Sequence, residues 1–382
     1  MKRVLSNPLL WTAVALVVLP LVAGANPVHY TGGFIDIAST MLCFALFASG
    51  FNLLFGHLGE LSFGHAMFFA IAAYTTALYT KGFDLNLFGH AYHHDPAGNM
   101  LIALAWSVGL VLLWGWFLAR IIIPRSSGIY YSMITLAFAQ VIFFITYKFG
   151  DFTGGEDGLQ SIARPQIVGL PADWLQDSTH FYIFAAIVTF LTLAALYWII
   201  QSPFGSVLHA IRENKERARF LGYDVNKYRV NAFVLSTLFP AVGGWLWTYY
   251  QTSINPDAGS VEYSGIVVMM SLLGGIYSFF GPVLGAIIYW ELQNGLSQLP
   301  NSGFASIPGL GSILSLPFIG KFWLGGIGAV FVVFVLVGPR GIMGLLDDVR
   351  RDGVSRILRR RSFEREALLA DVTEEHPTGV PH

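Results

Sequence analysis

Ten apolar runs, separated by short polar segments, dominate this sequence of 382 residues. Several approach or exceed the roughly 20 residues that an α-helix needs to cross a bilayer. Only 12% of the residues are charged, whereas a soluble domain carries about 25%; a soluble fold of this length would lack the charge to cover its surface. The pattern predicts an all-α, polytopic membrane protein of about ten spans. The runs are 8–25, 34–55, 61–80, 100–123, 129–148, 181–200, 230–250, 264–280, 282–299 and 322–338.

The distribution of Lys and Arg predicts the orientation of these spans. With a cytosolic N-terminus and ten alternating spans, the 22 basic residues all fall on the cytosolic side except Lys81, Lys148, Arg164 and Lys321. Cytoplasmic loops carry an excess of Lys and Arg, so we expect both termini in the cytoplasm. The first run resembles a signal peptide but lacks a clear small-x-small cleavage site, so we expect a retained first helix.

Glycine and proline interrupt run 61–80 and the pair of runs that meets at Gly281-Pro282. Such breaks are tolerated in a membrane only where protein or water satisfies the freed backbone groups. We therefore expect broken or re-entrant helices there, close to a translocation path. Close packing of the glycines against a partner subunit is an equally good explanation.

The segment 202–229 is charged and helix-forming, although apolar runs lie on both sides of it. It holds six of the 22 basic residues. Ser202-Pro203 ends the preceding span, apolar residues (Val207, Ala210, Ile211, Ala218, Leu221) recur at helical spacing, and Gly222 suits a helix C-cap. The sequence predicts one or two short amphipathic helices beneath the membrane. Such helices serve either as a docking element for a nucleotide-hydrolysing subunit or as a cytosolic loop that satisfies the charge bias.

Polar side chains inside the apolar runs are candidates for a translocation path. A polar group in hydrocarbon is costly unless it is paired or hydrated. The alternative is a hydrogen bond between helices that specifies their packing; for His65, packing or capping is the stronger alternative to a proton relay. The candidates are Asn52, Ser62, His65, Gln140 and Glu291.

Enzymatic patterns are not found in the sequence. His57, Glu60 and His65 lack the His-Glu-x-x-His spacing of a zinc protease, and Ser62 lacks the Gly-x-Ser-x-Gly context of a hydrolase nucleophile. His90, His93 and His94 are expected in a solvated outer loop. We therefore expect no catalytic residue, no metal site and no cofactor. A net charge of −1 gives no reason to expect a nucleic-acid partner.

One segment resembles a loop of ABC importer permeases, and three more resemble one family among them. Residues 216–222 are similar to the Glu-Ala-Ala-x-x-x-Gly loop of ABC importer permeases, with Arg217 where that family has a small residue. Residues 204–214, 56–66 (GHLGELSFGHA) and 153–159 (TGGEDGL) resemble segments of branched-chain amino acid permeases of the LivM type. The likeness covers 56–222 in motifs and extends in hydropathy to about residue 345.

The resemblance implies a permease subunit of an ABC importer in the bacterial inner membrane, without an ATP site of its own. A second homologous permease, two ATP-binding subunits, a periplasmic substrate-binding protein and membrane lipid would be its partners. Residues 1–345 would form the permease domain, with 202–229 as its coupling segment, and 346–382 a cytoplasmic tail that is basic and then disordered. The residues expected to couple to the ATPase are Gly205, Ala210, Arg212, Glu213, Glu216, Ala218 and Gly222.

Three other functions stay open at this stage. An importer for urea, short amides or small organic acids would share these features, because selectivity would lie largely in the external binding protein. An ion-coupled secondary transporter would need intramembrane carboxylates and an internal repeat, and Glu291 is the one carboxylate of that kind in the sequence. A membrane scaffold without transport would not require a structured cytosolic segment.

Overall fold

A computed structural model describes residues 8–24, 34–87, 90–96, 98–165, 171, 174–302, 323–337 and 341–344 of the chain. The basic tail predicted for 346–382 lies outside these residues. Each of the ten apolar runs contains a helix. The helices are α1 (Pro8–Gly24), α2 (Phe34–Asn52), α3 (His65–Lys81), α4 (Met100–Ile122), α5 (Ile129–Lys148), α6 (Gly150–Thr153), α7 (Ser178–Gln201), α8 (Pro203–Glu213), α9 (Lys215–Phe220), α10 (Val225–Gln251), α11 (Val261–Gly274), α12 (Gly281–Ser302) and α13 (Trp323–Val337).

Five helical stretches of the described chain are long and apolar enough to cross a membrane, and two more are apolar but shorter. The predicted all-α, polytopic membrane fold is confirmed. One antiparallel hairpin, β1 (Phe83–Leu87) with β2 (His90–His94), stands where the sequence indicated only a polar loop. The five long stretches are Ile35–Leu58, Met100–Arg125, Ile129–Lys148, Ser178–Gln201 and Val225–Gln251.

Helices α2 and α10 form the centre of the bundle and pack against each other, and α10 also packs against α3. In their most apolar stretches, 94% and 78% of the residues are buried, against 28% in α4, α5 and α7. The aromatic rings of Phe44, Phe47, Phe69 and Trp247 contact one another in this centre. Helices α4, α5 and α7 expose large apolar side chains such as Leu113 and Leu191, as expected of helices that face lipid.

The bundle has two chemically different ends. At one end, a turn after α2 contacts the start of α10 through Glu60 and Arg229, and Arg229 also donates to the Ser126 carbonyl between α4 and α5. Helices α8 and α9 lie at the same end, where Arg212 contacts Gly56. We call residues 56–64, 123–128, 202–229 and 275–280 the basic end.

The opposite end carries exposed carboxylates, and we call residues 149–165 and 251–262 the acidic end. Its two segments are joined where the Leu159 amide donates to the Ile254 carbonyl at 2.8 Å. Its exposed acidic residues are Glu156, Asp157, Asp257 and Glu262. The helices alternate between the two ends, as the predicted topology requires.

Helices α11 and α12 pack side by side, with the link between them at the basic end. A Cβ atom at Gly285 would collide with the Met270 carbonyl, so glycine permits this close approach. Helix α11 ends at Gly274, six residues before the end of the predicted run, because residues 275–280 form the link instead.

Candidate coupling and translocation sites

The segment 202–229 forms two short helices, α8 and α9, before α10 begins. Pro203 stands in the first turn of α8, where its missing N–H costs nothing. Asn214 separates the helices and caps α9, with its side-chain oxygen accepting from the Arg217 amide at 2.9 Å. The predicted pair of amphipathic helices is confirmed, and it folds against the basic end of the bundle.

One face of this helix pair is buried and fixes its position. Val207, Leu208 and Ile211 lie 8%, 0% and 0% exposed. Of the predicted coupling residues, Ala218 is also buried and Ala210 is half-buried. These side chains attach the segment to the bundle, so they do not form its outer surface.

Gly205 sets the distance between α8 and the end of α7. It is buried, and a Cβ atom there would collide with the Ile200 carbonyl. The residue therefore has a steric role in the turn from the last membrane helix into the coupling segment.

Gly222 ends α9 with a left-handed turn. Its φ of +90° favours glycine. The Gly222 amide donates to the Arg219 carbonyl and the Tyr223 amide to the Ala218 carbonyl, at 2.9 and 3.2 Å. This pair of bonds is the Schellman arrangement, so the predicted terminal role of Gly222 is confirmed.

The turn at Gly222 exposes two apolar side chains. Phe220 is 89% exposed and Leu221 is 70% exposed. The sequence placed Leu221 on the apolar stripe of the amphipathic helix, and this prediction is wrong: α9 ends at Phe220, so the side chain of Leu221 no longer follows helical periodicity. An exposed apolar pair in a charged segment is typical of a protein contact.

The charged coupling candidates separate into one inward and two outward side chains. Arg212 donates to the Gly56 carbonyl, and its guanidinium carbon lies 4.4 Å from the centre of the Tyr277 ring. Glu213 and Glu216 are exposed, and Glu216 pairs with Arg219 at 2.8 Å. Arg212 therefore joins the segment to the bundle, while the two glutamates stay available at the surface.

The contact partner of Arg212 belongs to an irregular helix end. Residues Leu53–Leu58 continue α2 as a π-helix, which ends at Gly59 with φ +81°. Such π segments are frequent at functional sites. His57 of this turn lies 3.0 Å (Nδ1 to Nε2) from His209 of α8. Burial, and then the charge of Arg212, lower the pKa of His209 below its usual 6.5.

Glu60 and Arg229 form a buried ion pair that the sequence analysis missed as part of the site. The Glu60 Oε1 atom lies 2.5 Å from Arg229 Nε and 3.0 Å from Lys215 Nζ. The sequence interpretation counted Arg229 among the cytosolic charges of the docking segment. Arg229 does lie at the basic end, but it is only 4% exposed, so it packs inside the bundle and does not contribute to the outer surface of that segment. The available signal for this site was Glu60, an acidic residue between two apolar runs. Its partners Lys215 and Arg229 lie more than 150 positions away in sequence.

Three of the predicted path residues are buried within this chain. Asn52 donates to the Ser278 carbonyl at 3.3 Å, and His65 Nε2 lies 3.0 Å from Ser236 Oγ. Asn52, Ser62 and His65 are at most 2% exposed. Their burial favours the packing role over direct contact with a transported solute.

The other two path candidates lie nearer the surface. Gln140 on α5 and Glu291 on α12 are both half-buried. Glu291 comes ten residues after the start of α12 at the basic end, which corresponds to about 15 Å along a helix. That distance is about half the thickness of the hydrocarbon core.

Comparison with known proteins identifies the family. Residues 33–335 match the family described as "Branched-chain amino acid transport system / permease component". No solved structure matches the chain. The predicted location, a multi-pass protein of the bacterial inner membrane, agrees with this family and with the apolar helices.

Individual relatives include amino acid and sugar permeases. LivM of Escherichia coli (strain K12), a high-affinity branched-chain amino acid transport system permease protein, is 27% identical over 293 residues, which cover 72% of this chain and 66% of LivM. LivH of Salmonella typhimurium is 25% identical over 79% of this chain and 91% of its own. XylH of Escherichia coli, a xylose transport system permease protein, is 30% identical over 42% of this chain and 44% of its own.

The alignment covers just under two thirds of the LivM length. The family match, which runs from residue 33 to residue 335, includes the segment with α8 and α9. The chain therefore belongs to the family of permease components of branched-chain amino acid transport systems.

Proposed function

We propose that this chain is a permease subunit of an ATP-driven ABC importer for branched-chain or related small amino acids. The observation that carries the proposal is the surface of α8 and α9. This segment is fixed to the bundle by its buried face, and it exposes the apolar pair Phe220 and Leu221 as well as Glu213 and Glu216. Such a surface fits a groove on a soluble subunit that hydrolyses ATP.

The basic end of the bundle faces the cytosol in this proposal. Arg125, Lys215, Arg217 and Arg219 lie there, and Lys and Arg are retained on the cytoplasmic side of membranes. The acidic end then faces outward, where an external substrate-binding protein would deliver solute. Two ATP-binding subunits would dock on the cytosolic side, one on each permease of the complex.

A second homologous permease would cover the half-buried face of α12. Glu291 and Gln293 are half-buried on this helix, and Asn294 donates to the Trp290 carbonyl. Polar side chains at mid-membrane depth are costly against lipid. The presence of both LivM-type and LivH-type relatives supports pairing with a homologue. Solute would pass along that interface, close to Glu291.

The identity of the transported solute is a separate part of the proposal. The names of the LivM and LivH relatives favour branched-chain amino acids as the transported solute, whereas XylH is named as a xylose permease. Urea, short amides and small organic acids stay as alternatives for an importer of this kind. Glu291 is the observation that favours the other alternative, an ion-coupled transporter, because a carboxylate near mid-membrane depth can carry a proton.

The test is co-purification of partners from native membranes with the variant Phe220→Ser/Leu221→Ser. Both side chains are exposed, so their loss leaves the bundle intact. We expect the unaltered chain to recover ATP-binding subunits and a second permease, and the variant to recover the permease alone. Phe149→Ser is the matched control, since Phe149 lies in the acidic end and is 62% exposed.

Two results would contradict the proposal. Recovery of the unaltered chain without ATP-binding subunits, with uptake that follows a proton gradient, would establish the ion-coupled alternative. Undiminished recovery of the ATP-binding subunits with the double variant would show that they dock elsewhere.

A further inference from the structure

Glu60 joins three parts of the basic end that are distant in sequence. It stands in the turn between the π-helical end of α2 and α3. Lys215 is the first residue of α9, and Arg229 lies in the second turn of α10. Both cations reach the same carboxylate oxygen, Oε1.

The two cations differ in environment. The side chain of Arg229 is 5% exposed and that of Glu60 is 2% exposed, whereas the side chain of Lys215 is 36% exposed. Arg229 also donates to the carbonyls of Ile123 and Ser126 at 3.1 and 2.9 Å. The Glu60–Arg229 pair is therefore a fixed part of the bundle, and Lys215 connects α9 to it.

The turn that carries Glu60 is itself held to α5. Ser132 Oγ donates to the Leu61 carbonyl at 2.6 Å. A displacement of Glu60 therefore acts on α5 through Ser132 and on α10 through Arg229. Because the Arg229 guanidinium also binds the Ile123 and Ser126 carbonyls, the displacement acts on the α4–α5 connection as well. Removing a partner from a buried ion pair is strongly destabilising. The Glu60–Arg229 pair therefore resists separation of the turn that carries Glu60 from α10.

We propose that Glu60 is a positioning residue of the transport cycle, which makes α8 and α9 move together with the start of α10 and with α5. Displacement of α9 by an ATP-binding subunit is passed through Lys215 to Glu60 and then to the bundle. This inference rests on the proposed function, since it needs an ATPase partner to displace α9.

The decisive variant is Lys215→Met. It breaks the connection without leaving a buried charge unpaired, because Glu60 retains Arg229. We expect faster amide hydrogen exchange across 203–220 in the purified chain. In the reconstituted complex, we expect the solute moved per ATP hydrolysed to fall about fivefold or more, with the ATP-binding subunits still bound. Lys215→Glu should change the exchange of 203–220 and the solute moved per ATP by more. Lys215→Arg should leave both quantities as in the unaltered chain, because arginine keeps the cation.

Arg125→Met is the matched control. Arg125 is an exposed cation of the same end, and among the described residues it donates to the Ile121 carbonyl at the end of α4. We expect it to change neither the exchange of 203–220 nor the solute moved per ATP. A role of Lys215 in general surface charge predicts equal effects for the two variants and would overturn the proposal.

Two failures are distinguishable. A Lys215→Met complex that assembles with its ATPases, exchanges normally at 203–220 and transports the usual amount of solute per ATP overturns the role of Glu60 alone. An unaltered chain that brings down no ATP-binding subunit overturns the proposed function, and the transmission role with it.

Discussion

Single residues at the basic end act through geometry and charge that depend on their exact positions. Gly222 supplies a left-handed turn that other residues adopt only with strain. His209 is placed between His57 and Arg212. Both residues lie in the segment that we propose to contact the ATPase, so substitutions there test the segment without touching the membrane core.

Gly222→Val should impair transport and leave membrane insertion intact. A β-branched residue at φ +90° costs about 1–2 kcal/mol, so the turn that presents Phe220 and Leu221 would be lost. Uptake and the amount of inserted protein are measured together. Gly109→Val is the control, because Gly109 has open space around it and lies in α4. Equal loss of inserted protein in Gly222→Val would indicate a folding role instead.

The stability of the coupling segment should depend on pH through His209. Burial and Arg212 lower the pKa of His209 below 6.5 in the folded protein. On acidification the unfolded chain binds a proton at His209 before the folded chain does, so the free energy of unfolding falls as the pH drops below about 6.5.

We expect the thermal midpoint in detergent to fall between about pH 7.5 and about pH 5.5, and to fall less in His209→Gln. His180→Gln removes an imidazole near the opposite end and is the control. An unchanged pH dependence in His209→Gln would show that other groups cause the effect.

At the scale of elements, the connection between α7 and α8 determines where the coupling segment lies. The chain leaves the membrane helix at Gln201 and re-enters a helix at Pro203, with Gly205 directly against the Ile200 carbonyl. The short connection leaves little freedom in the angle between the two helices. The buried apolar face of α8 then fixes the remaining rotation.

Gly205→Ala should loosen this connection. The added methyl group collides with backbone, and overpacking of this kind costs about 1–3 kcal/mol. We expect a lower thermal midpoint and earlier proteolytic cleavage in 203–220. Ser206→Ala is the matched control, as Ser206 is the exposed neighbour of Gly205. A thermal midpoint of Gly205→Ala equal to that of Ser206→Ala would mean that α7 and α8 can move apart without loss of stability.

At the scale of the whole molecule, the outer faces of the bundle are of two kinds. Helices α4, α5 and α7 expose apolar side chains that suit lipid. Helix α12 carries half-buried polar side chains in its outer half. We therefore expect the second permease of the proposed importer on the α12 side.

Cysteine cross-linking tests this assignment. The one native cysteine, Cys43, is fully buried and can be replaced by alanine. We expect Ile288→Cys on α12 to cross-link to a second permease, and Leu191→Cys on α7, where the side chain is 62% exposed, to give no such product. Cross-linking from position 191 alone would place the interface on the other side of the bundle.

The sequence alone determined the class of fold, the presence of a helix in each of the ten apolar runs and the existence of two short helices in 202–229. These follow from hydropathy, proline and glycine, which act locally along the chain. The helical end at Gly222 could likewise be predicted, because a left-handed terminal residue is a local requirement.

Only the tertiary structure decided which charged and polar side chains meet. The pairing of Glu60 with Lys215 and Arg229 joins residues more than 150 positions apart, and the inward orientation of Arg212 depends on the π-helical turn at the end of α2. Contacts of this kind arise from the packing of helices, which hydrophobic periodicity does not specify. The burial of Asn52 and His65 likewise depends on which helices lie at the centre of the bundle.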